Sequence, residues 1–129
     1  MPFTATTEPS RRRVLLVGLS PLALAAVEPA LCAVSEVSSV SFPGDDFDVA
    51  VESFCPDVVI VDVTYLAVNV VRPLILTRFS GSDASIVFMS DAGTGWLDEL
   101  RTLTSRPLGA VGIGTLVDLV RAGQPVVRS

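Results

Sequence analysis

The 129-residue chain contains no lysine and no histidine, and its formal net charge is −5 at pH 7. Schiff-base lysines, Ser/His/Asp triads, Cys/His dyads and imidazole zinc sites are therefore excluded. Because half of the residues are hydrophobic and only 18% are charged, we expect one folded domain with a substantial core rather than a disordered chain.

The N-terminal residues 1–12 are predicted to form a flexible lead-in, since they are rich in Thr, Pro and Arg. The arginines at 11–13 and the apolar residues 14–17 suit either a twin-arginine export signal or a buried strand with a basic edge. Pro21 and Glu28 interrupt the apolar segment that an export signal needs, which favours the strand. No apolar run approaches the roughly 20 residues of a membrane span. The sequence predicts a soluble, cytoplasmic protein, with export as the alternative.

Beyond the lead-in, short apolar runs rich in β-branched residues recur about 21 to 28 residues apart. This interval suits one strand, one helix and two short loops, and the alternation indicates βαβ units and a parallel sheet. The predicted strands are Val14–Val17, Val37–Phe42, Val58–Val61, Ile86–Met89 and Ala110–Ile113. The predicted helices are Pro21–Val34, Asp46–Phe54, a segment within Val68–Phe79, Trp96–Leu103 and Leu116–Val120.

Local signals support several of these elements. Ser20 suits a helix N-cap and Pro21 suits the first helical position. The continuous β-branched run Val58–Val61 is typical of a strand buried on both faces. Cys32 and Cys55 lie in apolar patterns without a CxxC spacing, so we predict small core residues rather than a metal or redox site.

Residues 55–62, Cys-Pro-Asp-Val-Val-Ile-Val-Asp, resemble the third-strand signature of response-regulator receiver domains, whose last Asp accepts phosphate. The likeness covers residues 13 to about 123. Val14–Pro21 resembles the first strand with its Pro-led helix, and Ile86–Ser90 resembles the fourth strand, which ends in a switch hydroxyl. The resemblance implies a three-layer, doubly wound, flavodoxin-like α/β fold with a five-stranded parallel sheet in the order 2-1-3-4-5.

The resemblance fails at the residues that phosphorylation requires. A receiver holds a divalent cation with an acidic pair after its first strand, and a lysine after its fifth strand neutralises the phosphoryl group. Here Gly18 and Leu19 replace the acidic pair, and Ile113 stands where the lysine is expected. Asp62 keeps the place of the phosphoacceptor, and Ser90 that of the switch residue. We expect a degenerate receiver that is not phosphorylated on Asp62 and has no metal and no cofactor.

Asp62 and Ser90 also have purely local interpretations. Asp62 is either a residual acceptor or a strand-end residue that binds backbone amides of the next loop, and the second interpretation is favoured. Ser90 either couples the site to the fourth strand or bonds nearby backbone, and both interpretations stay open.

Four apolar residues are candidate interface residues, because receivers commonly pair through the face of their fourth helix, fifth strand and fifth helix. They are Trp96, Leu97, Leu116 and Leu119; for Trp96 and Leu97 a role in the core is an equally open interpretation. The resemblance thus implies a homodimer. Residues 124–129 are predicted to be a tail or the start of a linker, since the stretch leading to them resembles the connection to a helix-turn-helix output domain. Beyond residue 13 acidic residues outnumber arginines about two to one, so DNA binding is expected only of an attached or partner output domain.

These features predict a non-enzymatic, receiver-like domain of an atypical response regulator in two-component signalling. It would control a transcriptional output through dimerisation or through binding of a ligand or a protein, independently of phosphorylation. The alternative is a small flavodoxin-like nucleotide-binding protein or enzyme that uses the same crevice. The absence of Lys, His and a phosphate-binding loop argues against that alternative.

Overall fold

The computed structural model describes residues 12–41, 45–64, 68–90, 94–100 and 104–122. Apart from Arg12, the predicted lead-in lies outside these residues, and so does the predicted tail at 124–129. Among the described helices, none is long and apolar enough to cross a membrane.

Six strands and four helices make up the described part of the chain. The strands are β1 (Arg13–Val17), β2 (Glu36–Val40), β3 (Val58–Asp62), β4 (Ser85–Met89), β5 (Thr94–Glu99) and β6 (Thr104–Ala110). The helices are α1 (Pro21–Cys32), α2 (Asp45–Phe54), α3 (Val68–Arg78) and α4 (Ile113–Ala122). From β1 to β4 strands and helices alternate as predicted, whereas β4, β5 and β6 follow one another with no described helix between them.

The strands form one mixed sheet in the order β2-β1-β3-β4-β5-β6. β1 pairs in parallel with β2 and with β3, and β3 pairs in parallel with β4. β5 runs antiparallel to β4, and β6 runs antiparallel to β5. The predicted five-stranded, fully parallel, flavodoxin-like sheet in the order 2-1-3-4-5 is therefore wrong, because an antiparallel meander of β4, β5 and β6 completes the sheet.

The error lies in the segment that was expected to be the fourth helix, Trp96–Leu103. Its residues up to Glu99 belong to β5, where the Trp96 ring stacks on the Phe88 ring of β4 with centroids 5.3 Å apart. Leu97 belongs to the buried cluster on the other face of the sheet. Since β5 has apolar side chains on both faces, its sequence does not show the polar and apolar alternation that marks a strand.

The predicted fifth strand, Ala110–Ile113, is displaced for a related reason. β6 ends at Ala110 and α4 begins at Ile113. Most residues of β6 are exposed and one of them is Pro107, so this strand lacks an apolar run and carries a residue that sheets tolerate only at their edges. The helix predicted at Leu116–Val120 is confirmed as the central part of α4.

Helices cover both faces of the parallel half of the sheet. On the face of α2 and α3, the buried strand residues are Leu15, Val17, Val59, Val61, Ile86 and Phe88. On the face of α1 and α4, they are Val14, Leu16, Val58, Ile60, Val87 and Leu97. Successive residues of β1 and β3 alternate between the two clusters, as expected for strands covered on both sides. The predicted burial of Val58–Val61 is confirmed, and so is the strand at residues 14–17.

The predicted helix start is also confirmed, but the prediction for the cysteines is wrong. The Ser20 hydroxyl oxygen accepts a hydrogen bond from the Ala23 N–H at 3.2 Å, and Pro21 occupies the first helical position of α1. Cys32 ends α1 and Cys55 follows α2, and both are exposed. Their positions at helix ends keep them off the buried helix faces.

Candidate functional site

A crevice opens at the carboxyl ends of the parallel strands, between the loops that follow β1 and β3. After β1 the chain turns to α1 on one face of the sheet, and after β3 it turns to α3 on the other face. The two loops therefore diverge at the edge of the sheet where α/β proteins bind ligands.

A cavity of about 510 Å³ occupies this crevice, a size within the usual range of small-molecule pockets. It brings together four of the residues that the resemblance places around the phosphorylation site: Gly18, Asp62, Ser90 and Ile113. Apolar side chains supply much of the remaining wall, namely those of Ala23, Val27, Met89, Val111 and Leu116. The crevice thus combines an apolar wall with a small number of polar groups.

Asp62 ends β3 and is half-buried. Its Oδ1 atom accepts a hydrogen bond from the Thr64 N–H at 2.8 Å. The Val63 N–H donates to the Met89 carbonyl oxygen at 2.8 Å, which ties the start of the loop to the end of β4. Asp62 therefore makes the local contact that its second interpretation predicted, a strand-end carboxylate that binds a backbone amide two residues on.

Gly18 and Leu19 bring no carboxylate side chain to the crevice. Gly18 has a φ of +75°, a conformation that glycine adopts without strain, and its N–H donates to the Val40 carbonyl oxygen at 2.9 Å. A Cβ atom at Gly18 would lie 3.6 Å from the Asp62 carbonyl oxygen. Leu19 is buried in the cluster on the side of α1 and α4. The first loop thus packs against β3 and the core.

Ile113 and Ser90 complete the predicted set. Ile113 is the first residue of α4 and is 40% exposed, so an apolar side chain lines the cavity at the place where the resemblance implies a lysine. The preceding Gly112 N–H donates to the Thr115 hydroxyl at 3.2 Å. Ser90 directly follows β4, is half-buried and lines the same cavity.

Asp62 is the one ionisable side chain among the described residues that line the cavity. Ion pairs between described residues away from the crevice join Arg13 to Glu36, Arg72 to Asp98, and Arg78 to Asp48 and Glu52. Across the described ranges, no group of three His, Cys, Asp or Glu side chains is placed to hold a metal ion. From the described residues, a hard divalent cation in this crevice would meet one carboxylate, fewer anionic ligands than such ions usually receive.

The four candidate interface residues do not share one surface. Leu97 is 3% exposed and Leu116 is 2% exposed, and both belong to the core on the side of α1 and α4. Leu119 is half-buried against the same core, whereas Trp96 packs against the core on the other face. The face that the resemblance implies lacks its fourth helix, because β5 occupies that part of the chain.

Two features of the crevice were not predicted from the sequence. One is its apolar wall, and the other is Thr64, which lines the cavity together with Ser20 and Ser90. Ala23 and Val27 are one helical turn apart on α1, a spacing that places them on one face. Thr64 follows Asp62 by two residues, the spacing of an Asx turn. Both signals are in the sequence, but neither shows by itself that the residues face a cavity.

An ion pair with a buried carboxylate, outside the crevice, was also missed. Asp98 of β5 is 3% exposed, and its carboxylate oxygens accept hydrogen bonds from the Arg72 Nε and Nη2 atoms of α3, both at 2.8 Å. Burial by itself raises the pKa of the Asp98 carboxyl, but hydrogen bonds from Arg72, Ser105 and Trp96, with the Arg72 charge, outweigh it. The pKa of Asp98 therefore lies below its usual value.

A second cavity, of about 630 Å³, lies near the end of α3 and the start of β4. Its lining includes Leu76, Gly81 and Asp83, and it contains none of the predicted site residues. Because it lies away from the carboxyl ends of the parallel strands, the topology of the sheet gives it no special place for ligand binding.

Comparisons of the chain with protein-family models, with characterised proteins and with solved structures gave no match.

Proposed function

We propose that this chain is a non-enzymatic regulatory domain, related to response-regulator receivers, that works without phosphorylation. The observation that carries the proposal is the composition of the crevice. Asp62 and Ser90 line it where a receiver would have its acceptor and its switch hydroxyl. Gly18 and Ile113 line it where a receiver would have a metal-binding acid and a lysine.

Electrostatics support the absence of phosphotransfer. A phosphoryl group on Asp62 would carry close to two negative charges at neutral pH, in place of the single charge of the carboxylate. Among the described residues that line the crevice there is no arginine to oppose that charge, and Asp62 is the one acid available to a divalent cation. Desolvated negative charge without a partner is costly, so both the transition state and the product would be poorly stabilised.

The output of the domain is part of the proposal. Occupancy of the crevice by a ligand or contact with a protein would change the loops after β1 and β3, and dimerisation or an attached DNA-binding domain would pass on the change. A cytoplasmic location and a role in transcription regulation belong to the same proposal. The predicted homodimer stays a prediction, and sedimentation velocity over a range of protein concentrations would test it.

The test of the proposal is a phosphodonor experiment. The full chain is incubated with acetyl phosphate and Mg²⁺, and its intact mass is followed over time beside Asp62→Asn and a phosphorylatable receiver. We expect the chain to keep its unmodified mass while the receiver gains one phosphoryl group.

An adduct that forms on the wild-type chain and is absent from Asp62→Asn would overturn the proposal. A nucleotide screen by thermal shift adds a second measurement. A clear rise in Tm with a nucleotide, lost when Ala23→Phe fills the crevice, would favour the nucleotide-binding alternative instead.

A further inference from the structure

We propose that the crevice binds a small organic ammonium compound, in which one protonated amine meets Asp62 and an apolar body lies against α1 and α4. This inference rests on the proposed function, because it names the class of ligand that would occupy the site in place of a phosphoryl group.

The negative charge of Asp62 is the first reason to expect a cationic ligand. Asp62 is half-buried and is the one ionisable side chain among the described lining residues. An ionised carboxylate offers about four acceptor sites, and the Thr64 N–H takes up one of them at Oδ1. The carboxylate therefore keeps acceptor capacity for a donor from a ligand. Charge-assisted hydrogen bonds from a cation are about twice as strong as neutral ones.

The neighbouring polar groups suit the same donor. Ser20 and Ser90 bring hydroxyl groups to the lining. A hydroxyl oxygen has two acceptor lone pairs, and Ser20 uses one of its pairs for the Ala23 N–H. A primary ammonium group has three N–H donors. The carboxylate together with one or two of these hydroxyls therefore matches the number of donors that an ammonium group must satisfy when it leaves water.

The apolar wall determines what the ammonium group must be attached to. Ala23 and Val27 of α1 and Leu116 of α4 line the cavity, and these side chains cannot replace the water shell of a bare metal ion or of free ammonium. An aliphatic or aromatic body is favoured there, because moving apolar surface out of water lowers the free energy of the complex. The cavity of about 510 Å³ is large enough to hold such a body.

An anionic ligand is the competing class, since α4 begins at the crevice: Gly112 directly precedes the helix and Ile113 is its first residue. A helix N-terminus acts as roughly half a positive charge, and here the Gly112 N–H already donates to the Thr115 hydroxyl. The full negative charge of Asp62 outweighs this partial charge. A carboxylate or phosphate ligand would therefore be repelled where an ammonium ligand is attracted.

The test compares three probes of similar size and different charge: 2-phenylethylamine, 2-phenylethanol and 3-phenylpropionate. Each is titrated into the full chain at neutral pH, and amide chemical shifts are followed by two-dimensional NMR. We expect the amine to bind about tenfold or more tightly than the alcohol and the carboxylate to bind least. The shifted amides should be those of Asp62, Thr64, Ser90 and Ile113.

Three variants make the result specific. Asp62→Asn keeps the shape of the side chain and should lower amine affinity about tenfold while leaving alcohol affinity unchanged. Asp118→Asn, an exposed site on α4, removes the same charge away from the crevice and should leave both affinities unchanged. Ala23→Phe should abolish the binding of amine and alcohol alike, with its fold checked by the NMR spectrum.

Equal affinity for amine and alcohol, tighter binding of the carboxylate, or an unchanged amine affinity in Asp62→Asn would each overturn the inference. Such results would leave the phosphorylation-independent function standing, since it fails only if acetyl phosphate modifies Asp62. Absence of binding by all three probes would also overturn the inference.

Discussion

Gly95 shows how a single residue allows the antiparallel part of the sheet to form. It lies in β5 opposite Met89 of β4 and is buried. A Cβ atom built at Gly95 would overlap the Phe88 carbonyl oxygen, and it would lie 3.2 Å from the Met89 Cα atom and 3.1 Å from a Val111 methyl carbon. Because two of these three neighbours are backbone atoms, β4 and β5 could not keep their spacing with any larger residue at this position.

We therefore expect Gly95→Ala to lower the free energy of unfolding by about 1 to 3 kcal/mol, the usual cost of forcing an extra carbon into a packed site. Urea unfolding followed by Trp96 fluorescence would measure it. Gly114→Ala is the matched control, since a Cβ at Gly114 has open space around it within α4 and replaces a poor helix former by a good one. Equal losses in the two variants would contradict the close approach at Gly95.

At the scale of residues, the candidate site was predictable in position but not in composition. The place of Asp62 after a buried β-branched strand, and of Ser90 after the next one, follows from the sequence pattern and the topology of parallel strands. The contribution of Val27 and Leu116 to the cavity does not, because a buried helical residue faces either the core or a pocket with the same periodicity. Only the relative placement of α1 and α4 distinguishes the two.

At the scale of elements, the ion pair between Arg72 and Asp98 links α3 to the antiparallel strands β5 and β6. Arg72 approaches with two nitrogens at 2.8 Å from the Asp98 oxygens, and its Nη2 lies 3.5 Å from the Ser105 hydroxyl of β6. The hydrogen bond to Asp98 raises the pKa of Arg72. One ion pair thus contacts a helix and two strands, which gives α3 a fixed position over β5.

This pair makes stability depend on pH in a defined direction. The folded-state pKa of Asp98 lies below its unfolded value, so its contribution is complete above about pH 4 and is lost as the pH falls through the folded pKa. We expect Asp98→Asn to lower the free energy of unfolding by about 1 to 3 kcal/mol at pH 7. The difference from wild type should shrink at pH values below about 4.

Thermal unfolding of both proteins at several pH values would measure that convergence. Asp48→Asn is the control, because Asp48 is exposed and pairs with Arg78 on the surface, where ion pairs contribute little. A difference between wild type and Asp98→Asn that stays constant down to the lowest pH would contradict the role assigned to the charge.

The same elements show why sequence reasoning placed a helix over β5. Trp96, Leu97 and Leu100 suit a helical face as well as a strand buried on both sides. Asp98 would lie on the polar side of such a helix, whereas in the fold its carboxylate pairs with Arg72, 26 residues earlier in the chain. A contact between residues so far apart in the chain depends on tertiary structure, so the local sequence pattern does not indicate it.

At the scale of the whole molecule, the two ends of the sheet differ in how they are covered. The parallel strands β1, β3 and β4 have helices on both faces and are largely buried. Strands buried on both faces have continuous apolar sequences. Such runs are visible in the sequence, so the alternation of strands and helices from β1 to β4 could be predicted. β6 is exposed along nearly its whole length. Its residues carry no hydrophobic pattern, so the sixth strand and the antiparallel end were not predictable from local sequence.

This difference in coverage predicts a gradient of hydrogen exchange across the sheet. Amides of β1, β3 and β4 should exchange slowest, because they open only when the core between the four helices opens. Amides of β6 should exchange fastest among the strands, since β6 pairs on one side with β5 and has little apolar contact to hold it there.

β2 is the matched comparison, because it is also an edge strand but is half-buried beside α1 and α2. Exchange measured by NMR should therefore place β2 between β3 and β6. If burial by neighbouring side chains determines the exchange rates, the amides of β6 exchange faster than those of β2, although both are edge strands. Protection of β6 equal to that of β3 would contradict this view and would mean that something outside the described chain pairs with or covers β6 in solution. Repeating the measurement over a range of protein concentrations would then show whether a second copy does so, since only self-association makes that protection depend on concentration.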